Sequence, residues 1–382
     1  MEHEIKTRRY ELDWLRVLAF SLLIFYHTGM FFVSWEWHVK NNEMSESLEI
    51  PMMFLSQWRM SLIFLISGAG VYLAMGYRSA GVFVKDRFKR IFLPLVLGML
   101  IIVPPQVYFE RLTQGYTYNY LVFLSKVAEF EPYPEGNFSW HHLWYLAYIF
   151  CYSILFLPLL SYIRSRPINL DVSRGWMLLV LPSLWLSVGE IMLRERFDAT
   201  NALIDDWANH FLYVSIFLIG FVIIASADLQ GKIRRLRWYS LATSIVLLTI
   251  LYTRYWLSDI DINGVELNFY WILKSGNRWC WLMTILGFAM QHLNVRSRYL
   301  RQANEMVYPF YILHQTVIVV IGYFVRDLSW SIAAKFSFIV MVTFAVCFLL
   351  IHFVIKPISW LRLPFGLKVR QPKIHSSESV LA

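Results

Sequence analysis

Arg16 and His27 stand eleven positions apart in a run that is otherwise largely apolar, from Leu12-Asp13-Trp14-Leu15-Arg16 to Phe25-Tyr26-His27. At about 100° per helical residue this spacing comes within about 20° of a whole number of turns, so both side chains face the same way, about 16 Å apart along the axis. Charged groups at hydrocarbon depth are expensive and mark functional sites by default. Asp13, one turn below Arg16, can neutralise it. Blander roles exist for each: a snorkelling anchor for Arg16 and an interhelical hydrogen bond for His27. Arg59, in Gln57-Trp58-Arg59-Met60, sits near the opposite end of a second apolar run and can pair with a carboxylate or hold an anionic substrate. His314 closes the stretch Tyr308-Pro309-Phe310-Tyr311-Ile312-Leu313-His314, where the proline loosens the helix. Glu190 lies near the outer end of a fifth run, with no evident partner.

Three further patterns offer chemistry or a plainer reading. Arg87-Phe88-Lys89-Arg90 precedes an apolar segment. Arginine pairs grip phosphates, but a basic flank that sets topology has the same composition. A long connection over residues 110–141 mixes Tyr116, Tyr118, Tyr120, Phe130, Tyr133, Phe138 and Trp140 with Glu129, Glu131 and Glu135, and runs into His141-His142-Leu143-Trp144. Aromatics beside acids suit stacking on sugar faces; an interfacial aromatic belt explains Trp140 and Trp144 equally. Adjacent histidines point apart on a helix, so His141-His142 is a poor metal pair, and no metal is expected. Ser67-Gly68-Ala69-Gly70 reads as a close packing contact. Cys151, Cys280 and Cys347 fall in apolar runs without CxxC spacing and read as core thiols. Phosphoryl-transfer and zinc-hydrolase motifs are missing.

The elements that must position these residues follow from composition. Of 382 residues, 58% are hydrophobic and only 16% charged, against about 25% charged in soluble domains. That excludes a disordered chain and an ordinary cytosolic enzyme and predicts an all-α polytopic membrane protein. Ten apolar segments are apparent, near 12–34, 53–76, 91–109, 142–163, 174–193, 209–227, 237–257, 269–292, 306–325 and 330–355. Most have the length a helix needs to cross about 30 Å of hydrocarbon. Basic residues cluster at 6–9, 78–90, 164–174, 232–237, 296–301 and 356–373, whereas acids dominate the alternate connections at 36–49, 110–135, 198–206 and 259–266. The positive-inside rule then puts both termini in the cytoplasm. The net charge of +9 is therefore mostly topology, and no nucleic-acid partner is expected. The expected organisation is a cytoplasmic segment 1–11, a membrane domain 12–356 and a cytoplasmic tail 357–382. The polar N-terminus lacks the pattern of a cleaved signal, so the first run is expected to remain as a span.

With these residues in view, the chain resembles the acyltransferase 3 family of integral membrane acyltransferases over nearly its whole length. Arg16 and His27 match that family's arginine–histidine spacing. Phe64-Leu65-Ile66-Ser67-Gly68, Arg87-Phe88-Lys89-Arg90, His142-Leu143-Trp144-Tyr145-Leu146 and the 308–314 run are similar to its other motifs, in the same order. Within the family it looks most like the branch that attaches succinyl groups to periplasmic glucans, including Trp37-His38-Val39 after the first span. The resemblance implies an inner-membrane enzyme with acyl-CoA as a cytoplasmic donor substrate, no tightly bound cofactor, and an extracytoplasmic glycan as acceptor. It implies that Arg87 and Arg90 hold the CoA phosphates. His27, with Arg16 and its neutralising Asp13, would form the catalytic group, His27 serving as general base or as acyl carrier. Arg59, His142, Trp144, His314 and the aromatic loop would place the acceptor. The competing reading is a proton-coupled transporter or glycan exporter, which buried Arg, His and Glu also suit. Such folds usually show two related halves, and no such symmetry is visible here.

Overall fold

The computed structural model describes residues 8–76, 78–166, 174–258 and 260–368. Lys6, Asp259, Arg370 and Lys373, counted among the topological charges, lie outside the described residues, as do most of the 1–11 segment and the end of the 357–382 tail. The described chain is helical, and the sole β feature in it is an isolated bridge between Pro132 and Phe138.

Each apolar segment is a helix or a continuous helical stack. In chain order these are α1 (Tyr10–Met30), α2 (Glu46–Met75) and α3 (Ala80–Thr113), then a short α4 (Tyr120–Val127). A bent pair follows, α5 (His141–Leu155) and α6 (Leu157–Arg164), meeting at 59°. The rest are α7 (Met177–Leu193), α8 (Trp207–Ala225), α9 (Ala227–Trp256), α10 (Gly264–His292), α11 (Arg298–Val325) and α12 (Ile332–Ile355). Six of them (α2, α3, α8, α9, α11 and α12) are long and apolar enough to cross a membrane, and the bent pair makes a seventh. Charge and length set the others apart: α1 carries Glu11, Asp13 and Arg16, α10 carries Glu266, Lys274 and Arg278, and α7 has 17 residues. The protein is thus an all-α polytopic membrane protein.

Local sequence explains several ends. Ser79, Ser226 and Ser331 accept a hydrogen bond from the backbone N–H groups of Val82, Leu229 and Ala334, satisfying donors that open α3, α9 and α12. α2 stops at Gly76, whose φ of 41° favours glycine. α3 is interrupted by two wide turns, at Phe88–Phe92 and Gly98–Ile102, before Pro104 restarts it. Such irregular turns re-aim the residues beyond them. They carry Gln106 and Glu110 toward the start of α5.

α1 packs on α11 and α2, α2 on α8, α7 and α9 on α10, and α11 on α12. The α2–α8 approach is the small-residue contact expected from Ser67-Gly68-Ala69-Gly70. A Cβ at Gly68 would collide with the Phe217 carbonyl, and one at Gly220 with that of Leu65. The buried centre runs through α1, α2, α5, α8 and α10, with Phe64, Leu146, Phe217 and Trp279 among its fully enclosed side chains. Cys280 and Cys347 are buried, Cys151 is half-buried, and all three are free thiols.

Candidate functional site

Two polar pairs join α1 to α11, one near each end. At the first, Arg16 Nη1 donates to Asp13 Oδ1 and Asn304 Oδ1, both at 3.3 Å, while Asn304 Nδ2 donates to Asp13 Oδ1 at 3.0 Å. Asp13 does neutralise Arg16 from one turn away. At the second, His27 Nδ1 lies 2.8 Å from His314 Nε2. Asn304 and His314 advance along α11 as Arg16 and His27 advance along α1, so the two helices run parallel and the expected shared face is real.

The hydrogen bonds fix the tautomers at the second pair. His314 Nδ1 is 2.8 Å from the Tyr311 carbonyl, which can only accept. The proton of a neutral His314 therefore sits on Nδ1, and its Nε2 is an acceptor. His27 must donate through Nδ1–H, which leaves the Nε2 lone pair of His27 unused. His314 is 1% exposed. His27 is half-buried and lines a cavity of about 800 Å³. The same logic applies to His142. Its Nε2 donates to the Ile312 carbonyl at 3.0 Å, and its Nδ1 accepts from Gln106 Nε2 at 3.3 Å. Gln106 in turn donates to Thr316 and accepts from Gln315. Gly98 permits this arrangement, because a side chain there would strike Leu143 at the start of α5.

The cavity mouth is built from the acid-bearing connections: Trp37 and His38, Pro132 and Tyr133, Phe138 to His142, and Ala199 to Ala202 with Ile204. Its floor includes His27, Arg59, Tyr213, Arg278 and Tyr311. Of the residues expected at an acceptor site, Arg59, His142 and Trp144 line it, whereas His314 stands behind His27 and does not. Arg59 lies over the Tyr26 ring, 3.4 Å from its centroid, and makes no ion pair among the described residues. The aromatic loop divides. Tyr133, Phe138 and Trp140 reach the cavity, but Tyr116, Tyr118 and Tyr120 cluster with Tyr108 and Phe123.

Arg111 holds this loop in place. Its guanidinium donates to the carbonyls of Pro134 and Gly136 and to the side chains of Asn137 and Gln114. Burial, with Glu110 next to it, pushes the Tyr133 hydroxyl up to about 12. It therefore stays protonated and donates to Glu110 Oε1 at 2.9 Å. Across the mouth, the 31–45 loop is pinned by Lys40, which donates to the carbonyls of Met30, Val33 and Trp35, and by Lys335, which donates to Asn41 and Asn42.

The opposite end carries the basic motif. Arg90 Nε pairs with Asp86 at 2.8 Å, and Arg87 stacks 4.7 Å from the Phe83 centroid with its Nε unpartnered. Between the two ends, Phe20 packs edge-on against Tyr145 and Tyr311, and Tyr145 bonds Ser67.

Three site residues escaped the sequence reading. Arg278 on α10 answers the open question of Glu190: its Nη1 meets Glu190 Oε1 at 2.7 Å, while Arg194 takes Oε2, also at 2.7 Å. In the sequence Glu110 stands out only as a loop charge, and His38 only as part of a motif. The contact of His141 is also unlike that expected from its neighbour His142. It faces Glu110 and His38, which come from other parts of the chain.

Comparison with known proteins places this geometry in context. Residues 9–352 match the family described as an acyltransferase domain. Glucans biosynthesis protein C of Shigella dysenteriae serotype 1 is 23% identical over 226 residues, covering 56% of this chain and 57% of that protein. The protein of the same name from Salmonella schwarzengrund is 22% identical over 239 residues, covering 59% and 60%. The alignment thus spans well under two thirds of the length of these curated relatives. No solved structure matches the chain.

Proposed function

The chain belongs to the acyltransferase 3 family, and from that premise we propose that it is a membrane-embedded O-acyltransferase with His27 as its general base. The observation that carries this reading is the His27–His314 pair. His314 fixes the His27 ring and its tautomer, and the remaining lone pair belongs to a residue of the cavity wall. A base oriented by a second group is the arrangement that hydroxyl activation needs.

In the proposed reaction an acyl-CoA donor reaches the seam from the basic, cytoplasmic end, and both termini lie on that side of the inner membrane. Arg87 and Arg90 meet its phosphates, and Arg16 guides the thioester arm. The rise of about 16 Å from Arg16 to His27 is of the order of that arm's reach. To get there the arm must part Phe20 from Tyr145 and Tyr311. The acceptor hydroxyl of an extracytoplasmic glycan enters the cavity from the other side. His27 Nε2 removes the hydroxyl proton as the oxygen attacks the thioester carbonyl. The carbon–sulfur bond then breaks, and the CoA thiolate takes the proton back from His27. The products are an acyl ester and free CoA thiol, with His27 and His314 returned to their starting tautomers.

Arg59, Trp144 and the ring of His142 line the cavity and position the acceptor. The relatives' name, glucans biosynthesis protein C, supports a glucan as the acceptor class. The test is incorporation of an isotopically labelled acyl group from acyl-CoA into periplasmic glucan by the full chain in vesicles, read by mass spectrometry. Label in ester linkage supports the reading. Movement of an unmodified solute without label would put the transporter reading in its place.

A further inference from the structure

His38 from the 31–45 loop, Glu110 from the end of α3 and His141 from the first turn of α5 converge at the cavity mouth, with ligand-capable atoms all within 4.8 Å of one another. We propose that His38 Nδ1, His141 Nε2 and a Glu110 carboxylate oxygen form a site for one first-row divalent cation of the zinc class, with its open coordination position toward the cavity.

The first argument is an unmet bond. His141 is 2% exposed on its side chain, yet its Nε2 has no hydrogen-bond partner among the described residues. The nearest polar atom is Glu110 Oε2 at 3.6 Å, too far for a hydrogen bond. A buried ring nitrogen aimed at a carboxylate without reaching it leaves a gap that a cation fills. No arginine or lysine fills it. Glu110 makes no ion pair with either among the described residues, and the nearby Arg111 is taken up by loop carbonyls and amides.

The second argument is the support around the ligands. Metal-bound histidines usually give their other ring N–H to a fixed acceptor, and ligating carboxylates are themselves hydrogen-bonded. His141 Nδ1 lies 2.8 Å from Ser139 Oγ, and Glu110 Oε1 accepts from Tyr133. Ser139, Tyr133 and the Arg111-bound loop hold two of the three ligands, while Lys40 and Lys335 pin the loop that carries the third.

The distances fit. Zinc–nitrogen bonds of about 2.0–2.1 Å put tetrahedral ligand atoms roughly 3.2–3.5 Å apart. His38 Nδ1 to Glu110 Oε2 is 3.1 Å, and His141 Nε2 to the same oxygen is 3.6 Å. The two histidine rings are stacked at 4.3 Å and must turn toward each other to close the third side. Two imidazoles and one carboxylate suit zinc and its first-row neighbours, not calcium or magnesium. His38 and His141 both line the cavity. A hydroxyl entering there meets the open position.

The experiment uses the full, untagged chain in detergent, stripped by a chelator and titrated with Co²⁺ as a coloured probe. One saturating equivalent per chain, with d–d absorption bleached by Zn²⁺, is the expected result. His141→Ala and Glu110→Gln should abolish the saturable phase, and Ser139→Ala should weaken it by about 10–100-fold. X-ray absorption on the Zn²⁺-loaded parent should show two imidazoles and an oxygen ligand, which decides the matter even if a variant fails to fold. No saturable phase in the parent, or one unchanged in His141→Ala, overturns the site and leaves a hydrogen-bonded cluster. The readout is metal binding, so it stands or falls separately from acyl transfer.

Discussion

The two ends of the α1–α11 seam are built alike and finish differently. Each pairs a polar residue of α1 with one of α11, and the second pair stands about three turns beyond the first. At the first end the charge has a counter-ion, because Arg16 Nη1 bonds both Asp13 and Asn304, and Asp13 also bonds Arg8. At the second end His27 has a single hydrogen-bond partner among the described residues, His314, and the cavity lies beside it. A balanced cation fastens helices and can receive an anion at modest cost. An imidazole with one nitrogen fixed and one spare is equipped to move a proton. Reactivity is therefore assigned to the end where satisfaction is incomplete.

Substitutions at the two ends should separate these roles. The largest effect is expected for His27→Ala, which removes the base and should lower acyl incorporation by about 10²–10⁴-fold at equal protein level. His314→Ala leaves the base present but free to rotate. Its expected loss is on the order of 10²-fold in kcat, with KM for acyl-CoA unchanged. Arg16→Ala should show the opposite split, with KM for acyl-CoA raised about tenfold and kcat nearly kept, equivalent to about 1.4 kcal/mol of binding. A large kcat loss in Arg16→Ala, assayed at saturating donor, would mean that both ends take part in the chemistry. Smallest is Arg90→Ala. Arg90 is already paired with Asp86, so the donor KM should rise less than for Arg87→Ala in parallel titrations.

Much of this seam was legible in the sequence. The spacing of Arg16 and His27 states their common face, and Asp13 stands one turn from Arg16, within reach to neutralise it. The ten apolar segments reappear as helices because hydrophobic length is a local property. What a single sequence does not contain is which helices become neighbours. His314 was placed with the acceptor, but α11 packs against α1 and delivers it to the back of His27. Of the two partners of Glu190, Arg194 stands four residues on, at a spacing the sequence does show, whereas Arg278 lies 88 positions away. The His38–Glu110–His141 cluster draws one residue from each of three separate segments. Its only local signal, the His141-His142 doublet, points at the wrong pair. The wide turns within α3 were equally silent, since apolar composition does not reveal a change of helical pitch.

The measurement that bears most directly on the central claim is a double-mutant cycle of His27→Ala and His314→Ala, read as acyl incorporation from acyl-CoA with membrane insertion controlled. If His314 acts only through the His27 ring, the double variant should be no slower than His27→Ala alone, because groups that work as a unit are not additive. Losses that multiply would contradict the account, since each histidine would then have its own part in the reaction.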